Sequence, residues 1–144
     1  VDHPGGVSVA VLTEKNELIF VRQFRYPYKK VLLELPAGKL ETGEDPFEAM
    51  KREQLEETGT KGESYVSLGE VYPTPGYCGE IIRLWACRRT ERQQELHLDE
   101  DEFLDIELIP LDKAVEMVLS NEIPDAKTQI GVLKTAFLVK NRLI

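Results

Sequence analysis

Between residues 45 and 59 the chain carries a full set of helix boundaries, and they constrain everything around them. Asp45 supplies an N-cap side chain, Pro46 suits the first helical position, and Glu48 stands at the capping-box spacing. Gly59 is the residue type that ends such a helix in the left-handed conformation. The spacing predicts a helix over residues 45–58. Strand-like segments surround it. Residues 7–12 and 18–21 are apolar and β-branched, with 14–17 as a hairpin turn between them. Residues 31–35 form a short strand stopped by Pro36-Ala37-Gly38, and residues 65–71, 81–87 and 103–109 are further strands. Two more helices are expected, over residues 111–120 and from the cap Asp125 towards Lys140. Strands first, one helix in the middle and helices last imply an α+β domain.

The 144 residues, 42% hydrophobic and 31% charged, suffice for one packed core, and no repeat or linker divides them, so residues 1–144 read as one domain. The 18 Lys+Arg against 26 Asp+Glu leave a net charge of −8, which argues against a nucleic-acid partner. No apolar run approaches the roughly 18 residues of a spanning helix, which argues against a membrane. Two cysteines, Cys78 and Cys87, make no disulfide framework, and nothing resembles a signal peptide, so a reducing cytoplasm is expected. His3 and His97 are too far apart to suggest a His-rich zinc site.

The acids are unevenly spread. Glu41, Glu44, Asp45, Glu48, Glu53, Glu56 and Glu57 fall in one stretch, and Asp99, Glu100, Asp101, Glu102 and Asp105 in another. On a helix, Glu53, Glu56 and Glu57 span an arc of roughly 100°. They sit near the C-terminal end, where they repel one another and oppose the helix dipole. Two readings are open on spacing alone. One is a solvated acidic face relieved by Lys51 and Arg52. The other is a site for a hard cation, which takes carboxylate and carbonyl oxygens and keeps water and phosphate ligands.

The full pattern runs Gly38, Glu44, Arg52, Glu53, Glu56, Glu57, Gly59, at the spacing G-x5-E-x7-R-E-x-x-E-E-x-G. Seven such matches would coincide by chance with a probability on the order of 10⁻⁸ at ordinary residue frequencies. Here the sequence resembles the Nudix hydrolase family, whose signature box this is. The box departs at its two bulky-aliphatic positions, which hold Gln54 and Thr60. Gln54 falls between Phe47 and Met50 on the apolar arc, so it is either buried with a partner or costs stability.

The segments 21–25, 34–38 and 74–76 look like the ADP-ribose pyrophosphatase branch, and Pro75 stands fifteen residues after Thr60, at that branch's marker position. The resemblance implies a Nudix-fold α/β/α sandwich with a mixed sheet, and hydrolysis of ADP-ribose to AMP and ribose 5-phosphate. It implies Mg²⁺, with Mn²⁺ as substitute, held by Glu53, Glu56, Glu57, the Ala37 carbonyl and a late glutamate, Glu102. Arg52 would orient the box glutamates, and Glu100 would be the general base. Arg25, Glu34, Lys39, Thr74, Gly76 and Glu80 would meet the substrate. The branch commonly works as a homodimer, for which Phe24, Tyr26 and Tyr28 are interface candidates, and it usually has an extra N-terminal strand region before His3-Pro4-Gly5, which the resemblance leads one to expect is missing from residues 1–144. Alternatives are a GDP-mannose or other nucleotide-sugar pyrophosphatase, and a catalytically silent module that binds ADP-ribose.

Overall fold

In a computed structural model, residues 5–90 and 105–144 are described, and they build seven strands and three α-helices. In chain order these are β1 (Gly6–Leu12), β2 (Glu17–Arg25), β3 (Lys30–Glu34), β4 (Ala37–Lys39), α1 (Pro46–Thr58), β5 (Gly62–Val71), β6 (Ile82–Arg89), β7 (Ile106–Pro110), α2 (Leu111–Leu119) and α3 (Ala126–Lys140). The sheet runs β3-β2-β1-β6-β5, with β4 paired to β1 and β7 to β2. It is mixed, because β1 and β6 are parallel while the other pairs are antiparallel.

Every residue of β1 is buried, because both faces of this central strand are covered. Val7, Val9 and Val11 point to one side and join Ile19, Cys87, Ala49 and Met50, under α1. Ala10 and Leu12 point to the other and join Phe20, Leu84, Ala114 and Val132, under α2 and α3. Alternate side chains of one strand thus feed two cores, and the result is an α/β/α sandwich. The covered polar exception on β1, Ser8, donates its hydroxyl to the Pro36 carbonyl at 2.8 Å.

The helix boundaries follow the caps. The Asp45 side chain accepts from the Glu48 amide at 3.1 Å, and Gly59 ends α1 with φ of 68°. Glu48 turns its own carboxylate to Lys51, at 3.3 Å, instead of back to the cap. Asp125 caps α3 through the Thr128 amide and hydroxyl. Several strands differ from expectation: β5 starts at Gly62, β6 runs on to Arg89 and β7 ends at Pro110. β2 continues to Arg25, because residues 21–25 pair with β3 and so satisfy backbone groups that polar side chains left unmarked. Ala37-Gly38-Lys39 does more than stop a strand: it forms β4, paired with Ser8, Val7 and Gly6.

Candidate active site

β4 lies beside the N-terminal half of β1, and α1 crosses over it, so the short segment Ala37-Gly38 meets the carboxylates of the helix. Glu53 sets the contact. A Cβ added to Gly38 would stand 2.2 Å from the Glu53 carboxyl carbon, so only glycine leaves that carboxylate where it is. Glu57, one helical turn on, takes a hydrogen bond from the Ala37 backbone. Burial and the neighbouring Glu53 push its carboxyl up to about 7 in the absence of any cation. Burial likewise raises Glu53, against the pull of Arg52.

Arg52 gathers three of the acids. Its Nε and Nη2 donate to Glu44 at 3.1 and 3.2 Å, and its Nη1 donates to Glu53 at 2.9 Å and to Glu56 at 3.4 Å. Glu56 is the outermost of the set, with its side chain 58% exposed. Among the described residues no three acidic, His or Cys side chains converge on one point. The donor chemistry still fits a hard divalent ion that keeps water and phosphate ligands: two partly buried carboxylates, both raised first by burial and then by neighbouring acids. Glu53 and Glu57 would hold it, and such an ion would supply charge neutralisation and an acidified water.

A cavity of about 410 Å³ opens against this site, lined by Ala37, Gly38 and Lys39 on β4, by Gln23 and Arg25 on β2, and by Glu80 and Lys127. Arg25, Glu34, Lys39 and Glu80, singled out from the sequence, are therefore brought near one another, but Glu34 plays a different geometric part. It is buried, and it accepts two 2.7 Å hydrogen bonds from Arg25 and one of 2.9 Å from Lys127. Burial alone would raise its carboxyl, yet these partners hold it below the usual carboxylate range. Lys127, on the first turn of α3, has no sequence signal near the box and was not foreseen; Gln23 was not either.

Thr74 and Gly76 lie in the loop between β5 and β6, not in the lining of that cavity. The Thr74 carbonyl accepts from the Tyr77 and Cys78 amides, and its hydroxyl lies 3.1 Å from the Cys78 sulfur. The same loop reaches the cleft through Glu80, which also lines a smaller cavity of about 220 Å³ with Tyr72, Pro75 and Cys78. Trp85 and Tyr65 pack around Phe47, whereas Tyr72 and Tyr77 are exposed. Glu100 and Glu102, with the rest of the acidic stretch 99–102, lie outside the described residues.

The model of the NUDIX domain matches residues 2–130, most of the chain, including the whole Gly38–Gly59 box. The chain belongs to the NUDIX family. Its Nudix domain is 37% identical over 133 residues to an ADP-ribose pyrophosphatase of Bacillus subtilis, covering 92% of this chain and 72% of the relative. It is 41% identical, with the same coverage, to a methanol dehydrogenase activator of Bacillus methanolicus. Among solved structures, an ADP compounds hydrolase superposes with a TM-score of 0.74 at 18% identity, over 95% of this chain and 74% of that one, which shows the shared fold. Members of this family work with a divalent metal ion.

Proposed function

We propose that this Nudix domain hydrolyses the pyrophosphate bond of ADP-ribose, releasing AMP and ribose 5-phosphate, with Mg²⁺ as its metal and Mn²⁺ as a substitute. The observation that carries this reading is the cleft in which three cationic side chains, Arg25, Lys39 and Lys127, stand beside the Gly38–Glu53 contact. A molecule of net charge −8 needs local cations to receive a diphosphate, and this cleft has them next to the carboxylates that would hold a metal. Arg25 and Lys127 bind the anionic substrate while Glu34 fixes both from behind. Arg52 keeps Glu53 and Glu56 from turning away, and the Ala37 amide steadies Glu57. Lys39 and Glu80 would approach the sugar–phosphate side of the cavity, and the loop of Thr74 and Gly76 its rim. Glu100 as base and Glu102 as a further ligand complete the reading.

The activity belongs to the cytoplasm in this reading, in keeping with two unbridged cysteines, and no helix among the described residues is long and apolar enough to cross a membrane. A homodimer is part of it, supported by an exposed patch of Phe24, Tyr26, Tyr28 and Val31. The test is AMP release from ADP-ribose, set against GDP-mannose, dGTP and diadenosine tetraphosphate, with Mg²⁺ and with chelator. ADP-ribose should give the highest kcat/KM, and chelation should abolish it. A preference for dGTP or the dinucleotide would overturn the substrate class, and tight binding of ADP-ribose without turnover would leave a binding module.

A further inference from the structure

The two positions where the signature box departs from aliphatic residues, Gln54 and Thr60, are both buried and are bonded to each other. Gln54 Nε2 donates to Thr60 Oγ1 at 3.2 Å, with the two residues 0% and 2% exposed. The surrounding bonds fix every proton. Thr58 Oγ1 lies 2.5 Å from the Gln54 carbonyl oxygen, which has no hydrogen, so Thr58 is the donor there. Its contact with Thr60 Oγ1, at 2.6 Å, then requires Thr60 to donate. Thr60 has thereby spent its one hydrogen, so Gln54 must present its amide nitrogen to Thr60 and its oxygen to the other side. There Tyr65 donates to Oε1 at 2.7 Å, and the Cys87 thiol, pushed by burial to about 12 and so neutral, lies 3.8 Å away. The result is one directed chain from Tyr65 on β5 through Gln54, Thr60 and Thr58, closing on the Gln54 carbonyl.

This chain encloses the turn of α1 that most needs support. The turn carries Glu56 and Glu57 at the negative end of the helix dipole, and no basic residue occupies the last turn. Its intrahelical ending is the Gly59 amide to the Leu55 carbonyl, at 2.9 Å. Apolar contact, being non-directional, resists rotation of a helix end less than hydrogen bonds of fixed donor and acceptor do.

We infer that Gln54 and Thr60 act as one unit that positions Glu53 and Glu57 for a divalent cation before the cation arrives. The inference rests on the metal-binding reading of those carboxylates. Gln54 and Thr60 are positioning residues, and they are coupled with a definite sign. Thr60→Val removes the bond to Thr58 and also strands the buried Gln54 amide hydrogen, whereas on a Gln54→Leu background it removes only the bond to Thr58, which keeps its own acceptor in the residue 54 carbonyl.

The experiment measures Mn²⁺ binding by electron paramagnetic resonance and amide hydrogen exchange of residues 55–60 in the metal-free protein. Wild type, Thr60→Val, Gln54→Leu and the double variant are compared. Thr60→Val should weaken Mn²⁺ binding at least about fivefold and speed exchange in that turn, and Gln54→Leu/Thr60→Val should return to within about twofold of Gln54→Leu. A role in packing alone would lower the melting temperature and leave the Mn²⁺ affinity and the local exchange unmoved, which would overturn the inference. So would equal losses from Thr60→Val on both backgrounds. If Thr60→Val alone fails to fold, Gln54→Met, which keeps the side-chain length without the amide, must restore its folding and its Mn²⁺ affinity; failure to do so overturns the coupling. Absence of Mn²⁺ binding by the wild type would instead remove the metal reading itself.

Discussion

Arg25 and Glu34, on neighbouring strands β2 and β3, are joined by two hydrogen bonds of 2.7 Å each, from Nε and Nη2 to the two carboxylate oxygens. The fork presents a cation to the cleft in one orientation, and Lys127 completes the carboxylate from α3.

Arg25→Lys keeps the charge and loses the fork, so KM for ADP-ribose should rise about tenfold, equivalent to roughly 1.4 kcal/mol, with a smaller change in kcat. Steady-state kinetics check this. A change confined to kcat would argue that Arg25 acts only in the transition state.

Glu34→Gln should destabilise the protein by about 1–3 kcal/mol, below the value for a fully buried pair because Arg25 is partly exposed. The folded-state carboxyl is held below its ordinary value of 4.5, so its stabilisation is present above pH 4.5 and fades as pH falls through the lower folded value. Melting curves of the two proteins should therefore differ at pH 7 and draw together in acid.

Gly38→Ala tests the contact with Glu53. The clash is with the mobile end of a side chain, so the fold should survive while the carboxylate is displaced. Hydrolysis should fall by at least about tenfold, roughly 1.4 kcal/mol of barrier, and circular dichroism should be unchanged.

Glu57 makes a pH prediction of opposite sign to Glu34. Its carboxyl is raised to about 7, so below that pH a cation must displace a proton, and Mn²⁺ affinity should rise between pH 5.5 and 8. In the metal-free protein the folded state binds this proton more tightly than the unfolded chain, so stability is lost as pH climbs through about 7. Glu57→Gln should accordingly melt higher than the wild type at pH 8 without metal, although its hydrolysis should drop by several orders of magnitude. Calorimetry with chelator present decides the first point and an AMP assay the second.

The patch of Phe24, Tyr26, Tyr28 and Val31 should be covered by a second copy in solution. Light scattering at micromolar concentration should return a dimer mass, and Tyr26→Glu with Val31→Glu should return a monomer. A fully active monomeric wild type would refute the assembly.

How much of this was legible beforehand follows from how local each signal is. Asp45, Pro46 and Gly59 act on backbone within a few residues, so α1 was readable to its ends. The box likewise placed Gly38 and Glu53 together, because its spacing encodes a strand, a loop and a helix in one stretch. Lys127 was invisible for the opposite reason: α3 delivers it to Glu34 across the fold, and nothing around residue 127 announces that meeting. The polarity of Gln54 and Thr60 posed a question that only their mutual hydrogen bond answers. Phe24, an apolar strand residue that could equally have packed inside, is exposed, which only the paired strands around it reveal.

The parallel union of β1 with β6 has a consequence for synthesis of the chain. Gly6 faces Ile82 and Leu12 faces Arg88, so the most apolar strand of the molecule emerges from the ribosome long before the neighbour that shields it. Until then the nascent strand has only β2, near Leu12 and Leu18, and β4, at Gly6–Ser8, to pair with, and the valines gain cover only once α1 follows. Folding should be slow for the chain's length, because its central pairing is also one of its most distant, and yield in a cell should depend on chaperone supply more than on the finished protein's stability.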